Sequence, residues 1–248
     1  MKITYKSVLP FFAMLLCFFL SACGGDYADT ESTKFDPVTE NNVSVSDQKT
    51  DDALIILALG DSLTEGLGVN KDANYPAILE RRLRELGHTN IKVVNSGLSG
   101  ETSSGLKARL DWVLQLKPQI TILNTGANDA MRGLPLELTT QNINEIVDRI
   151  QASGSIVILS GMQIYDNLGQ EYVVGFKDMY PKIAEQHDLV MIPFFLEHVA
   201  GDRQLNQSDM IHPNREGYEI IVDKNILPRV LEVLETEFNK HRTEHNKS

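Results

Sequence analysis

Four short segments of the chain carry side chains that could serve as a nucleophile, a base or a polarising donor. They are Gly60–Gly66 (GDSLTEG), Asn95–Thr102 (NSGLSGET), Gly126–Asp129 (GAND) and Asp209–Asn214 (DMIHPN). Ser62 follows an apolar run, and its hydroxyl becomes a useful nucleophile only if a nearby base removes the proton. A serine at such a strand-to-helix junction can equally cap the helix. Gly60 lets the chain turn sharply there. The glycines at 97 and 100 allow close backbone approach to a ligand, or simply a turn. Asn128 and Asp129 offer a carboxamide donor and a carboxylate, although an Asx-turn accounts for them as well. Asp209 precedes His212 by three residues, so its carboxylate can reach back to the imidazole Nδ1. His88, His187, His198, His241 and His245 read as structural or exposed, the usual state of a lone histidine.

These segments must be positioned by something rigid. From Ala53 onward, short continuous apolar runs alternate with longer amphipathic stretches, the pattern of a parallel sheet covered by helices on both faces. Strands are expected at Leu54–Leu59, Ile91–Asn95, Ile120–Asn124, Ile156–Leu159 and Leu189–Pro193. Helices are expected near Tyr75–Leu86, Ser104–Leu116, Thr139–Ala152, Phe176–Gln186 and Arg215–Phe238, with Pro228 kinking or splitting the last. In the third of these, Ile143, Ile146, Val147 and Ile150 form the apolar stripe, and Asn142, Glu145, Asp148 and Arg149 a solvated face. The fold class is therefore α/β, a three-layer αβα arrangement on a five-stranded parallel sheet. In such a sheet the loops at the carboxyl ends of the strands converge on one crevice, which is where the four segments fall.

The chain has 248 residues, 42% hydrophobic and 23% charged, enough for a sizeable core and too apolar for disorder. Its 34 acidic and 23 basic residues give a net charge of −11, which argues against binding nucleic acid. Two cysteines without paired Cys/His spacing give no reason to expect a zinc site or a disulfide framework. No cofactor is called for.

Taken together, the four blocks resemble those of the GDSL (SGNH) hydrolase family, in the order Ser62, Gly100, Asn128, His212 and over about residues 54–238. The likeness is greatest to its bacterial thioesterase, lysophospholipase and arylesterase branch. The segments similar to that branch are Gly60–Gly66, Asn95–Thr102, Gly126–Pro135, Pro193–Gly201 and Leu205–Asn214. Gly100 fits the family glycine because it follows Asn95 by five and precedes the acidic Glu101. Ala127 departs from the pattern, standing where a glycine is common. The resemblance implies a flavodoxin-like sheet and a metal-free serine esterase. Ser62 would be the nucleophile, His212 the base and Asp209 its orienting carboxylate. The N–H groups of Ser62 and Gly100 and the Asn128 amide would stabilise the oxyanion. Activity should then rise with pH as the imidazolium gives up its proton.

The substrates implied are small acyl esters, thioesters or lysophospholipids. Leu63, Leu98, Met131, Leu134, Ile164 and Ile211 can line an acyl groove, as can Leu67, Tyr165 and Leu168, and the Met131–Pro135 loop resembles one that meets the acyl group in the thioesterase branch. All of these can also be ordinary packing residues. A carbohydrate O-deacetylase of the same family, or a non-catalytic lipid-anchored binding protein, are the alternatives.

The amino terminus adds a localisation. Lys2 and Lys6 precede the apolar run Val8–Leu20, too short to span a bilayer comfortably and typical of a secretory signal. Leu20-Ser21-Ala22-Cys23 resembles a bacterial lipobox, which implies a signal peptide over 1–22 and a lipidated Cys23 that anchors the protein to membrane. Gly24 favours the periplasmic leaflet of the outer membrane. Residues 23–53 read as a flexible acidic tether, 54–238 as the hydrolase domain and 239–248 as a polar tail.

Overall fold

The structure, a computed structural model, describes residues 53–165 and 168–238. The expected signal peptide, the lipidated Cys23, most of the tether and the polar tail lie outside the described residues.

Five strands form the sheet: β1 (Leu54–Gly60), β2 (Ile91–Gly97), β3 (Ile120–Asn124), β4 (Ile156–Ser160) and β5 (Val190–Ile192). All neighbours are parallel, and the order is β2-β1-β3-β4-β5. This is the flavodoxin-like order, with its switch point between β1 and β3. Ile120–Asn124 is buried throughout, as befits a central strand covered on both faces.

Among the described residues, eight α-helices surround the sheet: α1 (Ser62–Glu65), α2 (Tyr75–Glu85), α3 (Ser103–Leu114), α4 (Ala127–Met131), α5 (Leu136–Ala152), α6 (Gln170–Gln186), α7 (Arg215–Ile221) and α8 (Leu227–Val233). Helices α2, α7 and α8 pack together on one side; α3, α5 and α6 form the other layer. The five long helical regions match expectation. The two short helices α1 and α4 fall outside the stretches that periodicity marks as helical, because four or five residues are too few to show a period. Helix α6 begins six residues earlier than the Phe176 start expected from its pattern. The carboxy-terminal helix is interrupted as Pro228 predicts. A π-helical turn, Val222–Ile226, sits just before the proline, and there the Leu227 N–H reaches back to the Val222 carbonyl.

One expectation for α5 is corrected. Its apolar stripe is buried, but Asn142 is not on the solvated face: it is 1% exposed. Its Nδ2 donates to Ser103 Oγ at 3.0 Å and Ser104 Oγ at 2.8 Å, so satisfied hydrogen bonds replace the lost water. Asn142 thereby joins α5 to the start of α3, directly under the loops of the carboxyl edge.

Candidate active site

The site is built at the carboxyl ends of β1 and β3. Gly60 closes β1, and a Cβ there would lie 2.3 Å from the Asn124 carbonyl oxygen and 2.4 Å from Thr64 Oγ1. Only glycine lets the two strand ends approach this closely. Asp61 caps α1, its Oδ1 accepting from the Leu63 N–H at 3.0 Å. Ser62 is therefore the first residue of the helix rather than its cap, and its N–H has no intrahelical carbonyl to reach. Tyr218 Oη, from α7, donates to the Leu63 carbonyl at 3.1 Å and holds the turn from below.

His212 arrives from the far end of the chain. Its Nε2 is 2.8 Å from Ser62 Oγ, and its Nδ1 is 2.7 Å from Asp209 Oδ2. Asp209 Oδ1 accepts from the N–H groups of Ile211 and His212 at 3.0 and 3.1 Å, so the carboxylate organises its own turn. Met210 within that turn takes a left-handed φ of 62°. The loop is tied at its base: Gln207 N–H donates to the His212 carbonyl at 2.8 Å, and Gln207 Nε2 to the carbonyls of Leu67 and Pro213 at 2.7 and 3.0 Å.

Asn128, in α4, comes next to Ser62 through Asp61: its Nδ2 donates to Asp61 Oδ2 at 3.3 Å. One amide N–H is used there and a second remains. Beside it, the fully buried Asp129 accepts from Ser103 N at 2.8 Å and Ser103 Oγ at 2.5 Å. Ala127 has no left-handed backbone, so the departure from glycine at this position carries no strain. Gly100, with φ 76°, lies in the loop after β2, where Leu98 N–H donates to the Gly60 carbonyl at 2.9 Å.

Two carboxyls of the site are displaced in opposite directions. Burial pushes Asp61 up to about 6, against the Leu63 N–H, the charge of His212 and the Asn128 amide. Partial desolvation pushes Asp209 up too, but the hydrogen bonds from His212 and the two backbone N–H groups together outweigh it and hold the carboxyl at about 2. Asp209 is thus ionised beside the imidazole across the neutral range, ready to stabilise an imidazolium.

A cavity of about 490 Å³ opens beside Ser62, Asn128 and His212. Of the expected lining residues, Leu63, Met131, Ile164 and Ile211 are there, with Tyr165 and Leu168. Leu98 and Leu134 are not, nor is Leu67: the 98 and 67 side chains are exposed to solvent away from it, and the Leu134 carbonyl accepts from Tyr172 Oη at 2.7 Å. Met162, Phe194 and Leu196 are also in the wall and were assigned no role from sequence: Met162 is in none of the similar segments, and Phe194 and Leu196 fall in Pro193–Gly201, where apolar residues read as packing. Asp61 was also assigned nothing, although that residue stands between Gly60 and Ser62.

Residues 58–220 match the GDSL-like lipase/acylhydrolase family. The chain belongs to that family. It is 36% identical over 162 residues to the esterase TesA of Pseudomonas aeruginosa, covering 65% of this chain and 80% of that protein. It is 34% identical over 169 residues to thioesterase 1/protease 1/lysophospholipase L1 of Escherichia coli K12, covering 68% and 79%. The crystal structure of the psychrotrophic esterase EstA from Pseudoalteromonas, inhibited by monoethylphosphonate, is similar with a TM-score of 0.67 and 29% identity, covering 75% of this chain and 98% of that one. This GDSL family member is accordingly a carboxylic ester hydrolase with the SGNH-type fold.

Proposed function

We propose that this GDSL family member hydrolyses acyl esters or thioesters through an acyl-Ser62 intermediate. The observation that carries the reading is the continuous chain Ser62 Oγ to His212 Nε2 at 2.8 Å and His212 Nδ1 to Asp209 at 2.7 Å. As Ser62 Oγ bonds to the substrate carbonyl carbon, its proton passes to Nε2, and Asp209 stabilises the cation formed. The carbonyl oxygen takes up the negative charge and is met by the N–H groups of Ser62 and Gly100 and the free Asn128 amide N–H. When the bond to the leaving oxygen or sulfur breaks, Nε2 returns the proton to it. Water then repeats the sequence on the acyl-serine.

The cavity wall of Met162, Ile164, Phe194 and Leu196 suits an aliphatic or aryl acyl group, in keeping with relatives named esterase, arylesterase and thioesterase/lysophospholipase. The anchor at Cys23 would hold this activity at the cell envelope, on the outer-membrane leaflet facing the periplasm; Cys23→Ser should then release the protein from membranes.

Two measurements test the function. Ser62→Ala should fold normally, lose nearly all hydrolysis and no longer take a fluorophosphonate label; retained turnover removes Ser62 as the nucleophile. On p-nitrophenyl esters, rates should hold or rise from acetate to medium chains. A sharp preference for acetate would instead favour a carbohydrate O-deacetylase.

A further inference from the structure

Between Leu98 and Glu101 every residue is held by another segment, and two of the holding side chains stand at the ends of the very helices that carry Ser62 and Asn128. Glu65, the last residue of α1, accepts from Ser99 N–H at 2.8 Å and also from the Ser99 hydroxyl. Arg132, at the end of α4, donates from Nη2 to the Gly100 carbonyl at 2.6 Å. Leu98 N–H is bound to the Gly60 carbonyl, and Glu101 is gripped by Arg109 through Nε and Nη2, both at 2.7 Å. In this stretch the Gly100 N–H is the backbone donor that meets no acceptor among the described residues. A polar loop secured on both sides of one open donor is the arrangement a pre-set anion pocket needs.

We infer that Glu65 and Arg132 are positioning residues that fix the Gly100 N–H relative to Ser62 and Asn128. The inference rests on the proposed oxyanion role of Gly100. Neither side chain lines the cavity, so neither is placed to bind substrate; each acts through the loop. Glu65 ties the loop to the nucleophile's helix, and Arg132 ties it to the helix of the amide donor. All three donors are then referred to one another rather than to the sheet alone. Because misplacement of a reacting group by about 1 Å can cost on the order of 10²-fold in rate, loosening either tie should lower turnover without weakening ground-state binding.

The test uses the full chain and four variants, Glu65→Ala, Glu65→Gln, Arg132→Ala and Arg132→Lys. Steady-state hydrolysis of p-nitrophenyl butyrate is measured with inhibition by an aliphatic trifluoromethyl ketone, whose Ser62 adduct places an oxyanion in the pocket. The alanine variants should lose roughly tenfold in kcat with KM within about twofold, and a similar factor in ketone affinity. Gln and Lys, which keep an acceptor and a donor, should recover much of both. Unchanged kcat and ketone affinity would overturn the inference. So would a raised KM at constant kcat, or a fall in kcat that follows thermal stability and leaves ketone affinity intact. Fluorophosphonate labelling of the same samples separates the two levels: if wild type is not labelled at Ser62, the nucleophile assignment fails, whereas full labelling with unaffected variants disposes of the two ties alone.

Discussion

The floor of the site and its roof are made in different ways. The floor is strand-end backbone and short helix: Gly60, Asp61, Ser62, Asn128 and Asp129 are all buried, and Ser62 is 7% exposed. The roof consists of loops, with the Asp209 side chain 44% exposed and that of His212 14%. In the floor, position follows from close packing of the sheet, and a change of one methyl group must move backbone. In the roof, position follows from a few hydrogen bonds across water-accessible ground, and a change can be absorbed. The same reaction geometry is therefore fragile on one side through folding and on the other through orientation. Substitutions in the two regions should separate these failures.

The largest effect belongs to the floor. Gly60→Ala would place a Cβ 2.3 Å from the Asn124 carbonyl oxygen, an atom of the central strand β3 that cannot step aside. The expected outcome is loss of soluble folded protein, read by expression and circular dichroism. A folded, active Gly60→Ala would show that the strand ends are not closely set.

Asp209→Asn comes next and belongs to the roof. It leaves Ser62 and the donors in place but removes the charge that favours the imidazolium and selects its tautomer, so kcat should fall on the order of 10⁴-fold, less than for Ser62→Ala. Stability should change little, because a half-exposed ion pair contributes at most about 1 kcal/mol. The pH dependence is specific. With the folded carboxyl at about 2, below its ordinary 3.8, its small contribution is complete above pH 4 and fades as pH falls from there towards 2. Wild-type stability at pH 5 to 8 should therefore be indifferent to this group, as urea unfolding across that range would check.

Asp61 shows the opposite sign. Its folded value of about 6 exceeds the ordinary 3.8, so between these values the unfolded chain has released the proton that the folded chain keeps. This group's effect on stability therefore declines as pH rises from about 4 to 6 and levels off above, by up to about 3 kcal/mol in all. Asp61→Asn sets its Nδ2 against that of Asn128 or gives up the Leu63 cap, an offset that does not vary with pH. The diagnostic is the slope. The variant's stability relative to wild type should climb between pH 4 and 6; parallel curves by denaturant unfolding would mean that Asp61 is not held protonated.

The contrast between floor and roof also governs what could be read from the residues alone. Buried parallel strands print themselves as unbroken apolar runs, so Ile120–Asn124 was located to the residue. The Asp209–His212 pair was visible because a three-residue spacing is a local fact. Asn142 was misplaced because a polar residue on a helix reads as solvated until its partners, Ser103 and Ser104 on another helix, are known. The tie of Glu65 to Ser99, 34 residues away, and of Arg132 to Gly100, 32 away, likewise leaves no trace in spacing. Leu98 and Leu134 were expected in the groove for want of any signal that says which way a loop side chain turns.

The smallest expected effect is at Gly100, and it sharpens the comparison because it repeats the glycine test in the roof. A Cβ there has space: the nearest atom is Arg132 Nη2 at 3.7 Å, the far end of a flexible side chain. What Gly100→Ala meets is conformational, since φ is 76° and an L-residue in the left-handed region costs about 1–2 kcal/mol. The N–H itself is retained. Stability should thus fall by about 1 kcal/mol and kcat by a few-fold, with the protein still folded, by thermal unfolding and steady-state kinetics. A collapse like that expected for Gly60→Ala would show that the loop after β2 is packed as tightly as the strand ends, and the distinction between the two sides of the site would no longer stand.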